Sequence, residues 1–220
     1  MNEFLIIKLL HLLGFAYWLG GDLGVFHSSF YVADSSRPPE VRVAAAKILF
    51  WLDQAPRICM TMMLPLGVHL TWRLGIFTFG TAAMVAIWMA AFGWLAMVIY
   101  LHAAKPSTGK YLLTTFDFWF RLALSLALLA FGFMTLFGAT ESIPNWVAIK
   151  LAIFGGLIAC GLMVRIKLKE FGPAFANIAQ GNASDADNAA ITRSLGGVRP
   201  YVVAIWAGLI ASAALGIHLV

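Results

Sequence analysis

Five histidines are spread through an otherwise apolar sequence: His11, His27, His69, His102 and His218. His11 and His69 lie inside long apolar runs, and the other three fall near the ends of such runs. In lipid an imidazole has no water to bond, so an ionisable side chain at that depth is a functional candidate. Two imidazoles on neighbouring helices at one depth suit the two axial positions of a haem iron. Gly14 stands one turn from His11 and leaves room for a porphyrin edge, and Trp18 follows along the same face. Pro65 precedes His69 by one turn and is expected to kink that helix and re-aim the ring. Lys8, Arg73 and Lys150 fall at the same level, where cations can bind two propionates. Simpler roles exist for each: a lone histidine can bond a neighbouring helix, and Lys8 and Arg73 can snorkel to headgroups.

Other residue types carry weaker signals. Met60, Met62 and Met63 cluster in one apolar run, and Met84, Met89 and Met97 recur in the next. Thioethers suit Cu(I), although methionine more often fills gaps in a core. Asp53 with Arg57, and Asp117 with Arg121, are spaced i, i+4, as ion pairs on one helix face would be. With Asp22 they form a candidate proton-accepting network, structural pairing being the first reading. Cys59 and Cys160 both sit in apolar runs, which argues against a structural disulfide. There is no Walker loop, dinucleotide fingerprint, zinc signature or nucleophile elbow.

The elements that must position these residues follow from composition. Of 220 residues, 61% are hydrophobic and 11% charged, against roughly 25% charged in soluble domains. The apolar runs are continuous rather than alternating, so they read as membrane helices, not barrel strands. About six spans are expected: 4–32, 48–72, 81–102, 116–139, 146–164 and 201–219. The first reads as a retained helix, because no small-residue cleavage site follows it. The segment 165–200 is expected to be a surface helix followed by a loop, within a single transmembrane domain over 1–220. Arg37, Arg42 and Lys47, then Lys105 and Lys110, then Arg165, Lys167, Lys169, Arg193 and Arg199 mark alternate connections. By the positive-inside rule those connections are cytoplasmic and both termini are outside. His11 and His69 then share the outer leaflet. The net charge of +5 sits mostly in these connections, which points to anionic lipid headgroups before nucleic acid.

The run His11-Leu12-Leu13-Gly14-Phe15-Ala16-Tyr17-Trp18-Leu19-Gly20-Gly21 resembles the first helix of the CopD and HemJ groups of bacterial membrane proteins. Trp146 to Lys150-Leu151 and on to Arg165 is similar to the HemJ-type helix that begins with a lysine and ends basic. Arg199-Pro200-Tyr201 resembles the entry to that family's last helix. The resemblance covers spans one, two, five and six, with spans three and four as an insertion. It implies haem-binding protoporphyrinogen oxidase chemistry on the HemJ side and copper uptake on the CopD side. It gives His11 and Lys150 the family's key positions.

The expectation is therefore an all-α helix bundle of the bacterial inner membrane that binds haem b, with both termini periplasmic. His11 and His69 would hold the iron, and electrons would pass to a quinone, a porphyrinogen or a partner cytochrome. The chain would act among membrane lipids, as a homo-oligomer or as a subunit of a larger complex, and not on nucleic acid. A copper-handling permease and a structural subunit without a site are the alternatives.

Overall fold

The computed structural model describes residues 2–138 and 143–219, and the described residues form eight helices and no strand. They are α1 (Asn2–Ala33), α2 (Pro39–Leu52), α3 (Gln54–Arg73), α4 (Thr81–Ala103), α5 (Thr108–Leu136), α6 (Asn145–Lys167), α7 (Phe171–Ala179) and α8 (Asp185–Gly216). Five of them (α1, α4, α5, α6 and α8) are long and apolar enough to cross a membrane. α3 has 20 residues, about 30 Å at 1.5 Å per residue and thus also of bilayer length. Gln54, Arg57 and Arg73 make it less apolar than the rest. The molecule is a multi-pass, all-α membrane bundle.

Small residues set how the helices pair, as expected where lipid removes any hydrophobic drive between them. α3 lies antiparallel along α1. A Cβ added at Gly24 would meet Leu52, one at Gly21 would meet Ala55 and Pro56, and one at Gly14 would meet Met63. α5 and α6 approach most closely at Gly132 and Gly155, where an added Cβ would lie 2.8 Å from the Ala148 carbonyl oxygen and 2.9 Å from that of Ser125. The Ser125 hydroxyl donates to the Gly155 carbonyl at 2.7 Å across the same interface. α6 and α8 run antiparallel through Gly208, which packs on Ile153 and Leu157. The shared interior holds Trp18, Met60, Trp94, Val98, Leu157, Ile158, Ile205 and Leu209. Leu5, Ile6, Leu9, Leu12, Met89, Phe92 and Leu126 remain exposed on the outside, where lipid would cover them.

Two opposite faces result. The terminal face carries the start of α1 and the end of α8. The loop face carries α2, α7 and the first turns of α8, which close a second cluster with the end of α1 around Val32, Ala46, Phe171, Ile178 and Ile191. Arg42 ties this cap together. It is 3% exposed, its Nε donates to the Val32 carbonyl at 2.9 Å and its Nη1 to the Asn188 side chain at 2.8 Å.

Several boundaries differ from the sequence expectation. The second span does not begin at 48. Helix α2 stops at Leu52 and α3 starts at Gln54, because Pro56 has no N–H to give to the Leu52 carbonyl. The segment 165–200 holds the short helix α7 and a short stretch at 180–184, as expected, but from Asp185 it is helical: α8 begins there, runs through Pro200 and continues as the last span. Its start is fixed by a capping box, with the Ser184 hydroxyl accepting from the Asp187 N–H and the Asp187 carboxylate accepting from the Ser184 N–H. The fourth span likewise starts earlier, at Thr108, after an N-cap in which Ser107 accepts from the Lys110 N–H at 3.2 Å. The end of the fourth expected span, at 139, and part of the connection that follows it lie outside the described residues.

Candidate functional site

His11 enters the interior from α1 on the terminal half. Its imidazole lies against α3, where a Cβ at Gly67 would stand 3.4 Å from its Cε1. Its Nδ1 is buried and among the described residues has no hydrogen-bond partner, an uncommon state for a buried polar atom. Lys150, near the start of α6, lies close enough to act on His11 electrostatically. No ion pair or hydrogen bond of Lys150 is found among the described residues. Its Nζ stands 5.7 Å from the centre of the Trp146 ring and would meet a Cβ placed at Gly216 at 2.8 Å. A residue from α1 and one from α6, far apart in sequence, thus share one terminal-side space closed by α3 and α8.

His69 is placed differently. Trp88 on α4 donates its indole N–H to His69 Nδ1 at 3.0 Å. Indole nitrogen can only donate, so Nδ1 carries the lone pair and the proton sits on Nε2. That Nε2 faces Glu3 Oε1 at 3.0 Å. Both ring nitrogens are therefore occupied, and the ring sits edge-on to Trp72 and Trp88. No hydrogen bond or ring contact joins His69 to His11 among the described residues. Holding a metal through Nε2 would require Glu3 to leave.

The remaining expected site residues divide in the same way. Arg73 approaches Glu3 at 3.7 Å and belongs to the His69 group. Lys8 is exposed on α1. The room expected beside Gly14 is filled by the Met63 thioether, since an added Cβ there would lie 2.8 Å from Sδ. Trp18 is a core residue, 3% exposed and edge-on to Phe154 at 6.0 Å. Pro65 is buried inside α3, which continues to Arg73. His27, His102 and His218 are exposed at helix ends.

The densest polar assembly lies in the loop-side half of the bundle. Asp117 is fully buried, yet it accepts four hydrogen bonds from three N–H groups. Arg121 Nε lies 3.0 and 2.9 Å from its two oxygens, Arg165 Nη2 at 2.7 Å and Trp94 Nε1 at 3.1 Å. Arg121 also donates to the Met60 sulfur at 3.4 Å and lies 5.3 Å from the Trp94 ring centre. Met60 is thereby a structural acceptor. Both i, i+4 pairs read from the sequence are present, the second being Arg57 Nε to Asp53 Oδ2 at 2.6 Å. Sequence spacing could not show that Arg165, Trp94 and Met60 join the first pair from three other helices. Asp22 on α1 lies near Asp53 and Arg57, and among the described residues its buried Oδ2 has no hydrogen-bond partner.

An apolar cleft of about 420 Å³ opens between α1, α3 and α4, lined by Gly14, Cys59, Met62, Met63, Trp88 and Phe92 among others. Among the described residues no three His, Cys, Asp or Glu side chains converge as a metal-ion site would need. Against known proteins, no family model, no curated protein and no solved structure matches this chain.

Proposed function

We propose that the chain is a haem b-binding redox protein of the bacterial inner membrane, with the terminal face periplasmic and His11 as the iron ligand. Lys150 would serve the same haem, as second ligand or as partner to a propionate. The reading rests on one observation: among the described residues, His11 carries a buried Nδ1 with no hydrogen-bond partner, within electrostatic reach of Lys150, for which no ion pair is found there. An axial ligand needs a free imidazole lone pair, and a propionate needs an unneutralised cation. His69 offers neither nitrogen, so a single histidine fits better than two. The HemJ-type resemblance, which rests on His11 and Lys150, agrees with this placement. Haem supplies one-electron transfer when bound. The protein's part is to hold it in an apolar wall and to govern access by a quinone, a porphyrinogen or a partner cytochrome. Lipids surround the bundle, and assembly with further copies or subunits fits this role.

The visible spectrum of protein purified from a haem-replete host tests it. A Soret band is expected that is lost in His11→Ala, weakened or shifted in Lys150→Met, and kept in His69→Ala. A colourless wild-type protein, or full haem content in His11→Ala, refutes it. A copper-handling role is the second reading, favoured by Cys59, Met62 and Met63 lining one cleft. It requires bound Cu(I) in a haem-free preparation, lost in Met62→Leu with Met63→Leu.

A further inference from the structure

The lining of the apolar cleft selects what can fill it. α3 packs against α1 on one side and α4 on the other, and the cleft runs along α3 from Ile58 to Leu66, about 12 Å at the helical rise. Leu10, Ile58 and Phe92 on its rims are exposed, so it opens sideways, toward the lipid around the bundle. Its volume of about 420 Å³ falls within the range of small-molecule sites, roughly 300–1,000 Å³. Sites of that size ordinarily carry a few polar groups that orient the ligand. This one has none to spare. Among the described residues that line it, Trp88 alone carries a ring N–H, and that N–H is given to His69 Nδ1 at 3.0 Å. The rest of the lining is hydrocarbon, the Met62 and Met63 thioethers and the Cys59 thiol. Such a wall rewards only dispersion contact, so it suits a long hydrocarbon chain.

A chain of contacts joins the cleft to the terminal face. Trp88 bonds His69, His69 Nε2 faces Glu3 Oε1 at 3.0 Å, and Arg73 Nη2 stands 3.7 Å from Glu3 Oε2. The last separation is well beyond a charge-assisted hydrogen bond, about 2.7–2.9 Å. The Arg73 side chain is 40% exposed, so its guanidinium keeps donors for an anion in the headgroup layer. We propose that the cleft holds one acyl chain of a phospholipid from the surrounding bilayer, with the lipid phosphate on Arg73. Leu66 lies about 10 Å below Arg73 along α3, a distance that the glycerol and the first carbons of the chain span. Lys8 adds a second exposed cation on α1, just above Leu10. An isoprenoid quinone fits less well, because its head carries carbonyls that need donors and the Trp88 N–H is already given away. The bound chain fills the space between α1 and α4 and holds α4 against α3. Haem is not needed for this site.

Native mass spectrometry of the whole protein in detergent, titrated with dioleoyl phosphatidylglycerol, counts the lipids bound. One lipid should bind more tightly than all later ones. Cys59→Trp fills the cleft and should abolish that first event. Arg73→Gln, at an exposed position, should weaken it about tenfold, as the loss of one charge-assisted bond does. A phospholipid brominated in its acyl chain, added at one equivalent, should quench part of the tryptophan fluorescence, and that part should be missing in Trp88→Phe. Should Cys59→Trp fail to fold, the Arg73→Gln titration and the Trp88→Phe quenching carry the test. No tight first event, a first event kept in Cys59→Trp, or quenching unchanged in Trp88→Phe overturns the lipid site. An affinity unchanged in Arg73→Gln overturns the placement of the phosphate. Displacement of the phospholipid by an equal concentration of an isoprenoid quinone overturns the choice of occupant.

Discussion

Replacing Asp117 by Asn removes one negative charge from a site in which two guanidiniums converge. The side chain keeps its shape, so the loss is electrostatic. Arg121 is 9% exposed and sends Nε to both carboxylate oxygens; Arg165 is 30% exposed and reaches one of them. Removing one partner of a buried ion pair costs about 3–5 kcal/mol, because the remaining charge is left uncompensated. Two corrections lower the figure. Arg165 is open enough for water and headgroups to screen it. The unfolded chain in a membrane also finds other polar partners, which shrinks measured polar terms there. About 3 kcal/mol remains, roughly a hundredfold in the folding equilibrium. Arg165→Met should cost less, about 1 kcal/mol, because Arg121 still neutralises Asp117. Unfolding in mixed micelles by a denaturing detergent, followed by tryptophan fluorescence, measures both. A cost for Asp117→Asn below about 1 kcal/mol, or a larger cost for Arg165→Met than for Asp117→Asn, would show that the network is not held together by Asp117.

Gly132→Leu should prevent α5 and α6 from closing, since even a Cβ meets the Ala148 carbonyl oxygen and the Ala152 Cβ at 2.8 Å; the same micelle titration should show a cost of about 3 kcal/mol or more, and a neutral result would place the interface elsewhere. Gly216→Ala puts a methyl group 2.8 Å from Lys150 Nζ at an exposed position, so stability should change little while the haem spectrum shifts in the direction of Lys150→Met; an unaltered spectrum would separate Lys150 from the cofactor. The Asp34 carboxyl, in the connection after α1, is held below the ordinary aspartate range by the Ser36 hydroxyl and N–H, with Arg37 adding to the effect. A depressed carboxyl stabilises the fold above its unfolded value and loses that contribution as pH falls through its folded value. NMR titration should therefore find Asp34 ionised to lower pH than a free aspartate, and moved back up in Ser36→Ala.

Helix existence was legible from the length of the apolar runs, and helix ends were not. Two missed starts had a readable signal. Ser184 and Asp187 form a capping box, and Ser107 caps the turn that contains Lys110. Both lie in polar sequence, where hydropathy alone places a loop. The break at Leu52 also had a signal in Pro56, whose missing N–H acts four residues upstream rather than at its own position. An apolar run therefore continued across a joint that the backbone could not. The paired charges Asp53–Arg57 and Asp117–Arg121 could be read because i, i+4 spacing is local. The convergence of Trp94, Arg165 and Met60 on the second pair could not, since it depends on how four helices rotate about their axes.

The same rotation separates the two histidines that the sequence places at one depth. Counting residues from a membrane face fixes height along the bundle normal and says nothing about direction around each helix axis. The His69 ring meets α4 through Trp88 and the chain start through Glu3, while the His11 ring meets α3 at Gly67 and lies near Lys150 of α6. A carboxylate and an indole satisfy the first ring completely. Nothing among the described residues satisfies His11 Nδ1. Among the described residues, the buried His11 nitrogen has no hydrogen-bond partner and nearby Lys150 has no ion pair, its Nζ lying 5.7 Å from the Trp146 ring centre, so the desolvation of the imidazole nitrogen goes unmatched by a hydrogen bond there. That open nitrogen, rather than the shared depth of two histidines, is the physical reason His11 and not His69 is the residue proposed as a ligand.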